Sequence, residues 1–488
     1  MPLQEKLTDS KKLLQDYFGD TVDFYTKDIK LCGISCCICI FEGLSSLEKL
    51  WIMMLDGLSK ETAPPADADG LFQYLMNDTA IPLETQSVNS VESVCTRLTS
   101  GAGVVLIDGS ARAVAIATQS LQFRSVQEAG SEGNLRGSKE GFTEPLRVNI
   151  SLVRRLIRTG DLRVEMRRIG EKTQTEMAVL YSASLVPKKI LAELYARLEK
   201  ARLPFVFDTG YLAAFLREGS FGAFQAVGYT ERPDTAAAKI CEGKIVILVN
   251  GSPFAMIVPH FFSENFQSMD DYTEKAYFAS FVRLLKYTAF FIAVMLPGIF
   301  VAIVNFTPEL LPQQLLYRIA AAEQATPLPL FLEALFVNFL LELVREAGLR
   351  MPKPIGQSVS LVAALIVGDA AISAGLVGTP TVIVIALTAI CGYVVPSLYE
   401  PVTGLRVAFI LAGGILGPLG IVVLAFWMLL NACSMQVMGL PYTEPFAPAS
   451  SAALRDGLIR AGWKRLMHSH YSVWKHTKGE RANESEKP

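Results

Sequence analysis

The sequence predicts an α/β soluble amino-terminal region of two sub-domains followed by an α-helical polytopic membrane domain. Three observations carry that expectation. Of the 488 residues 51% are hydrophobic and 19% charged, a combination that requires the two kinds to be segregated along the chain. Tyr287 to Phe306 then runs for about twenty residues without a charge, enough at ~1.5 Å per residue to match a hydrocarbon core of ~30 Å. The pattern VVLIDGSARAVAIA around Asp108-Gly109 returns as IVILVNGSPFAMIV around Asn250-Gly251. This suggests two related sub-domains, although any hairpin of apolar strands has the same outline. The expected divisions are residues 1–135 and 136–280 for the sub-domains, 281–435 for a membrane domain of four to six helical segments, and 436–488 for a basic tail.

From the amino terminus, MPLQEKLTDSKKLLQDYFGD is polar and acid-bearing rather than a secretory signal, so the soluble half is expected to stay cytoplasmic. Leu31 to Ile40 suits a buried strand; its cysteines Cys32, Cys36, Cys37 and Cys39 lack the paired spacing of a zinc site and read as reduced, buried thiols. Ser46 to Leu58 has helical periodicity, Glu61 to Gly70 is a Pro-rich acidic loop, and Val91 to Leu98 is again periodic. Asp108-Gly109 turns strand Val104–Asp108 into Val114–Ala117, the glycine supplying positive φ. Gly130 to Gly141 reads as a linker. Beyond it, Asn149 to Thr159 reads as a basic amphipathic helix, LRVEMRRI and TEMAVLYSA as strands, and Lys188 to Leu203 as a helix. The arginines at 147, 154, 155, 158, 163, 167 and 168 read as a solvated face, with a subunit or anionic-lipid contact as the alternative.

Besides Tyr287–Phe306, spans are expected at Ile355–Leu376, Thr379–Leu398 and Val407–Ala432, with Pro327–Val344 as a fifth candidate. Basic residues beside the spans (Arg283, Lys286, Arg345, Arg350, Lys353) and in the tail (Arg455, Arg460, Lys464, Arg465, Lys475, Lys478) belong on the cytoplasmic side and demand an even number of crossings. Five conflicts with that; a broken helix or tight hairpin at Gly417-Pro418 restores parity.

Pro297-Gly298 and Gly417-Pro418 are the candidate helix breaks, freeing backbone groups that neighbours or water must satisfy. Glu333, Asn338 and Asp369 are the candidate ion pathway, because intramembrane polar side chains are costly against lipid. Glu342 lies near Asn338 and Arg345 on one helix face and reads as structural pairing. No phosphate loop, nucleophile elbow or zinc-protease motif is present, so neither an enzyme nor a cofactor is expected. His468, His470 and His476 read as part of a flexible tail rather than a metal site, and a net charge of −2 gives no reason to expect nucleic acid.

Thr230-Glu231-Arg232-Pro233-Asp234, Glu242-Gly243-Lys244 and ILVNGSPF before Pro259 resemble the A subunit of the GerA-type spore germination receptors. The resemblance continues upstream through RGSKEGFTEPLRVNISLVRRLIRTGDLRVE and downstream through SFVRLLKYTAFFIAVMLPGIFVAIVNFTPELLP, EALFVNFLLELVREAGLRMPKPIGQSVSLVAALIVGDAA and GLPYTEPFAP, spanning about Leu31 to Pro448. It implies a multi-pass protein of the spore inner membrane that acts with a membrane-embedded B subunit, the nutrient sensor, and a C-subunit lipoprotein. It also implies a homo-oligomer that conducts monovalent cations. Gly137-Ser138-Lys139-Glu140-Gly141-Phe142 replaces the family's Gly-Pro-Arg-Glu-Gly-Phe and loses a rigid turn. Lys139 and Glu140, with Glu231, Arg232 and Asp234, are candidate inter-domain or partner contacts, the last three reading as an ion-paired turn. A stage V sporulation AF-like paralogue that amplifies germination, and a stand-alone secondary transporter, are the alternatives; no convincing repeat marks the membrane half as a transporter.

Overall fold

The computed structural model describes residues 1–46, 65, 67–78, 84–119, 130, 132–133, 136–216, 222–350, 368–447 and 453–466. Most of the expected Ser46–Leu58 helix, much of the Glu61–Gly70 loop, residues 355–367 of the expected second span and the three tail histidines lie outside them.

The soluble half holds two antiparallel sheets with one topology. In the first, β1 (Phe24–Leu31), β2 (Ile34–Phe41), β3 (Thr85–Val88), β4 (Gly103–Ile107) and β5 (Ala113–Ile116) stand in the order β1-β2-β4-β5-β3. In the second, β6 (Leu162–Ile169), β7 (Thr175–Ser182), β8 (Gly228–Thr230), β9 (Ile245–Val249) and β10 (Ala255–Val258) stand in the order β6-β7-β9-β10-β8. Helix α1 (Leu7–Phe18) precedes the first sheet as α4 (Leu146–Leu156) precedes the second. The short α2 (Ala68–Gln73) packs in the first half, α5 (Lys188–Lys200) and α6 (Gly210–Leu216) follow β7, and α3 (Val91–Thr99) leads into β4 as α7 (Pro233–Cys241) leads into β9. Strands β4 and β9 are buried throughout, as continuous apolar runs at sheet centres must be.

The two central turns repeat in detail. Gly109 and Gly251 adopt φ of 84° and 93°, backbone that glycine enters without a Cβ clash. The Asp108 side chain accepts from the first N–H of α1 (Leu7, 3.0 Å) and the Asn250 side chain from that of α4 (Leu146, 3.1 Å). Gly109 donates to the Glu5 carbonyl and Gly251 to the Glu144 carbonyl, both at 2.9 Å. Each turn therefore satisfies one of its helix's unpaired terminal donors.

Two sequence expectations change here. Cys36, Cys37 and Cys39 are buried free thiols, but Cys32 is exposed, because with Gly33 it forms the tight β1–β2 turn at φ 50° and 84°. Arg154 is not on a solvated face: it is 1% exposed and donates to both Asp23 carboxylate oxygens, at 2.7 and 2.8 Å, across the seam between the two sheets. The loop before β1 meets the start of β6, so a residue on the polar side of α4 is enclosed, and Thr21 and the Leu162 carbonyl complete its partners.

Helix α8 (Ala276–Phe306) leaves the second sheet and is 31 residues long, beginning well before the charge-free run. After α9 (Gln313–Gln324), α10 (Leu330–Arg350) returns: Leu330 packs with Val301 and Val304 near the far end of α8, and Glu342 meets Tyr399 at the near end. Past Arg350 the described chain resumes at Gly368 and by Gly378 is at the far end again, where its N–H donates to Glu333. Helix α11 (Thr379–Tyr393) then comes back, ending at Tyr393 rather than Leu398 as expected, since Pro396 opens a separate short turn. Finally α12 (Tyr399–Ser434) is two helices joined at Gly417, whose φ of 62° and ψ of −146° are not helical. They form a hairpin: Glu400 at one end bonds Gln225, Asn431 at the other accepts from the Ala223 N–H at 2.9 Å, and Gly420 lies against Ala412. Thus α12, among the described residues, begins and ends on the side from which α8 departs. Among the described residues, Ala276–Phe306 and Pro396–Ser434 are the two helices long and apolar enough to cross a membrane.

Candidate functional site

Within this apolar layer a column of polar side chains is enclosed, and its organising residue is Arg406. It is 0% exposed, and desolvating a guanidinium costs several kcal/mol unless every donor is matched. The match begins with a proline. Pro297 has no N–H, so the carbonyl four residues earlier, Ala293, has no helical donor; Arg406 Nε donates to that carbonyl at 2.9 Å. Its other nitrogens reach Asn338 Oδ1 (3.3 Å) on α10 and the Thr388 carbonyl (3.5 Å) on α11. One guanidinium therefore ties four helices together.

The countercharge is Glu342, whose Oε1 lies 3.7 Å from Arg406 Nη1. Glu342 also accepts from the Tyr399 hydroxyl (2.6 and 2.7 Å) and pairs with Arg345 at 3.4 Å. Arg345 in turn lies over the Tyr399 ring, a cation–π contact at the near end of the column.

Glu333 is 1% exposed, nine residues before Glu342, and sits at the far end. There its carboxylate accepts from the Gly378 N–H at 2.8 Å, where the positive end of α11 favours a negative charge. Asn338 joins Arg406, whereas Asp369 is exposed on the single chain and joins neither. Gly298 and Gly413 pack backbone to backbone, Gly298 also meeting the Phe409 carbonyl, so a side chain at either position would push α8 from the first arm of α12. Gly417 lies against the Phe306 ring, 2.6 Å from where its Cβ would stand, and Pro418 follows as the first residue of the second arm.

Arg232 is 3% exposed and bonds both Asp234 oxygens (3.1 and 2.6 Å) and the Ser138 carbonyl (2.7 Å). The Phe142 N–H donates to the Glu231 carbonyl at 2.6 Å and Glu140 pairs with Arg155. The segment that carries Lys139 is thereby bound onto the second sheet within the chain itself.

Sequence reasoning missed Arg406, because the expected span began one residue later, at Val407. It also missed a second enclosed cluster between the second sheet and the helices. There Glu264, 8% exposed, accepts from Lys239 at 2.7 Å and pairs with fully buried Lys244, while His260 Nδ1 lies 3.4 Å away. Burial opposes the Glu264 charge, but Lys239, Lys244 and His260 outweigh it and hold the carboxylate below its usual range. Burial lowers His260 to about 4 and Lys244 below the ordinary lysine value. Lys239 is held above it by Glu242 and Glu264 despite burial. A lone His, two Lys and a Glu spread over 26 positions give no spacing signal.

Comparison with known proteins places the chain in a family. The family model described as Bacillus/Clostridium GerA spore germination protein matches residues 12–470. Spore germination protein KA of Bacillus subtilis is 36% identical over 376 residues, 77% of this chain and 69% of that protein. Spore germination protein GerLA of Bacillus cereus is 31% identical over 465 residues, 94% of each. The solved N-terminal domain of the A subunit of the Bacillus megaterium spore germinant receptor GerK3 aligns with 54% of this chain and 98% of that one, at 22% identity and a TM-score of 0.41.

Proposed function

Since this chain belongs to the Bacillus/Clostridium GerA spore germination protein family, we propose that it is the A subunit of a spore germination receptor, coupling nutrient sensing by B and C partner subunits to monovalent cation release. It works as a multi-pass homo-oligomer in the spore inner membrane, with both sheets and the tail on the core side. The hairpin at Gly417 supports that topology, because it returns the tail to the side from which α8 departs.

The observation that carries the conduction reading is the Arg406 column. Arg406 is paired there with Glu342, Asn338 and the Ala293 carbonyl and is closed off from solvent, so we place the pathway between protomers, where Asp369 is exposed. Glu333 and Asn338 then serve the pathway by holding α10 and α11 in place. The test is potassium release from purified spores lacking this protein, challenged with separate nutrients and with a non-nutrient trigger. Failure for one nutrient class, with the non-nutrient response intact, supports the receptor role. A general slowing for all nutrients points to the amplifying paralogue instead. Complementation with Asp369→Asn separates conduction from scaffolding: unchanged release rates remove Asp369 from the pathway.

A further inference from the structure

Helix α8 is longer than a hydrocarbon core requires. Its 31 residues extend ~46 Å, against ~30 Å for the acyl region and ~40–45 Å with headgroups included. The surplus lies at the near end, since Tyr287 and Phe290 are already packed with Phe266 at the base of the second sheet. The turns before them carry an outward stripe at helical spacing: Tyr277 is 73% exposed and Phe281 62%, followed by Leu284 and Leu285. It is continuous with the apolar outer face farther along the same helix, where Phe291 is also exposed.

The carboxy-terminal segment is fastened beside that stripe. Fully buried Arg283 donates to Asp271 and to both the carbonyl and the carboxylate of Asp456, at 2.6 and 3.0 Å. Ser280 and Arg460 exchange hydrogen bonds at 3.1 and 3.2 Å. So held, Ile459 (61%) and Trp463 (55%) remain exposed, with the Arg460 guanidinium 5.0 Å from the Trp463 ring. Lys464 and Arg465 follow at once, and Lys475, Lys478 and Arg481 farther on.

Exposed aromatic rings with apolar neighbours and a basic run are what the interfacial layer of a bilayer selects, the rings lying among the headgroups and the cations meeting anionic lipid. We infer that residues 453–466, clamped to the first turns of α8 through Arg283, form an interfacial anchor that holds anionic lipid headgroups against Trp463 and Lys464. The occupant is lipid rather than a protein because the stripe is unbroken with the outer face of a helix that crosses the membrane. The inference rests on the membrane reading above and is independent of conduction.

The experiment uses the full chain in phospholipid vesicles, with Trp463 left as the sole tryptophan (Trp51, Trp427 and Trp474 each changed to Phe) and a companion retaining Trp427 instead. Lipids brominated close to the headgroup should quench Trp463. Brominated anionic lipid should quench it about fivefold more effectively than brominated zwitterionic lipid at equal dilution. That preference should vanish in K464E/R465E, while quenching of Trp427 by deeply brominated lipid is unaltered. Quenching of Trp427 together with a Trp463 that responds to aqueous iodide and not to brominated lipid overturns the anchor and leaves the membrane reading standing. Failure of both tryptophans to respond to lipid brings both down. Equal quenching by the two lipid classes removes the anionic headgroup.

Discussion

The two sheets share topology, turns and capping bonds, yet they close their second faces differently. In the first, one face is covered by α1 and α3 and the other by α2 and its neighbours, giving two separate clusters that contain no helical-layer residue. In the second, α4 and α7 cover one face, but the other cluster runs from Val258 and Phe261 into Tyr287, Phe290, Val402 and Phe409. The second sheet and the helices therefore share one core. The first sheet is held instead by a polar seam around Arg154 and Asp23 and by Arg147 with Glu42. Apolar burial is not directional and tolerates little separation, whereas a bidentate ion pair fixes one orientation and is lost as a unit. The contact between the first sheet and the rest is therefore centred on ion pairs, while the one that joins the second sheet to the helices is apolar.

The comparison can be broken most forcefully at the shared core. Phe266→Ala should cost about 4 kcal/mol, and thermal unfolding followed separately in each region should show the second sheet and the helices failing together. If only the sheet is lost, they do not share a core. Asp23→Ala strands the enclosed Arg154 and should cost about 3 kcal/mol. Its signature is different: hydrogen exchange should rise in residues 1–119 and stay unchanged in α8 and α12.

Acidification tests the junction cluster. His260 titrates near 4 in the folded chain against ~6.5 unfolded, so between those values the unfolded chain binds more protons and stability falls as pH falls. Glu264, held low, adds loss of the same sign below ~4.3. The His260 shift alone amounts to about 3 kcal/mol, and His260→Gln should flatten the part above pH 4. A dependence that is unchanged in that variant assigns the titration elsewhere. The smallest effects come from the repeated turns. Gly109→Ala and Gly251→Ala should each cost about 1 kcal/mol, because both force a Cβ into positive φ. Equal values in urea titrations would sharpen the equivalence of the copies, and a gap above ~1 kcal/mol would break it.

What could be read from the sequence was local. Asp108-Gly109 and Asn250-Gly251 announce their turns because the φ requirement is met by adjacent residues, and Gly417-Pro418 announces a break for the same reason. The long apolar helix α8 was legible because its length and composition lie in one continuous stretch. Arg154 and Arg406 were not, since their partners Asp23 and Ala293 lie 131 and 113 residues away and periodicity contains no information about which distant element will enclose a charge. Glu333 and Asn338 stand out in the sequence as candidate ion-pathway groups because they are polar within apolar runs, but the groups they bond, Gly378 and Arg406, appear only when the helices are assembled.

Pro297 is usually what spoils a helix. Here the missing N–H creates a socket, an accepting oxygen that its own helix has no means of filling and that a neighbour can plug. Restoring the rung with Pro297→Ala would set a new backbone N–H in competition with Arg406 Nε for the Ala293 carbonyl. The two residues behave as one part in two pieces, so a chain that changes the proline should also have to dispose of the arginine.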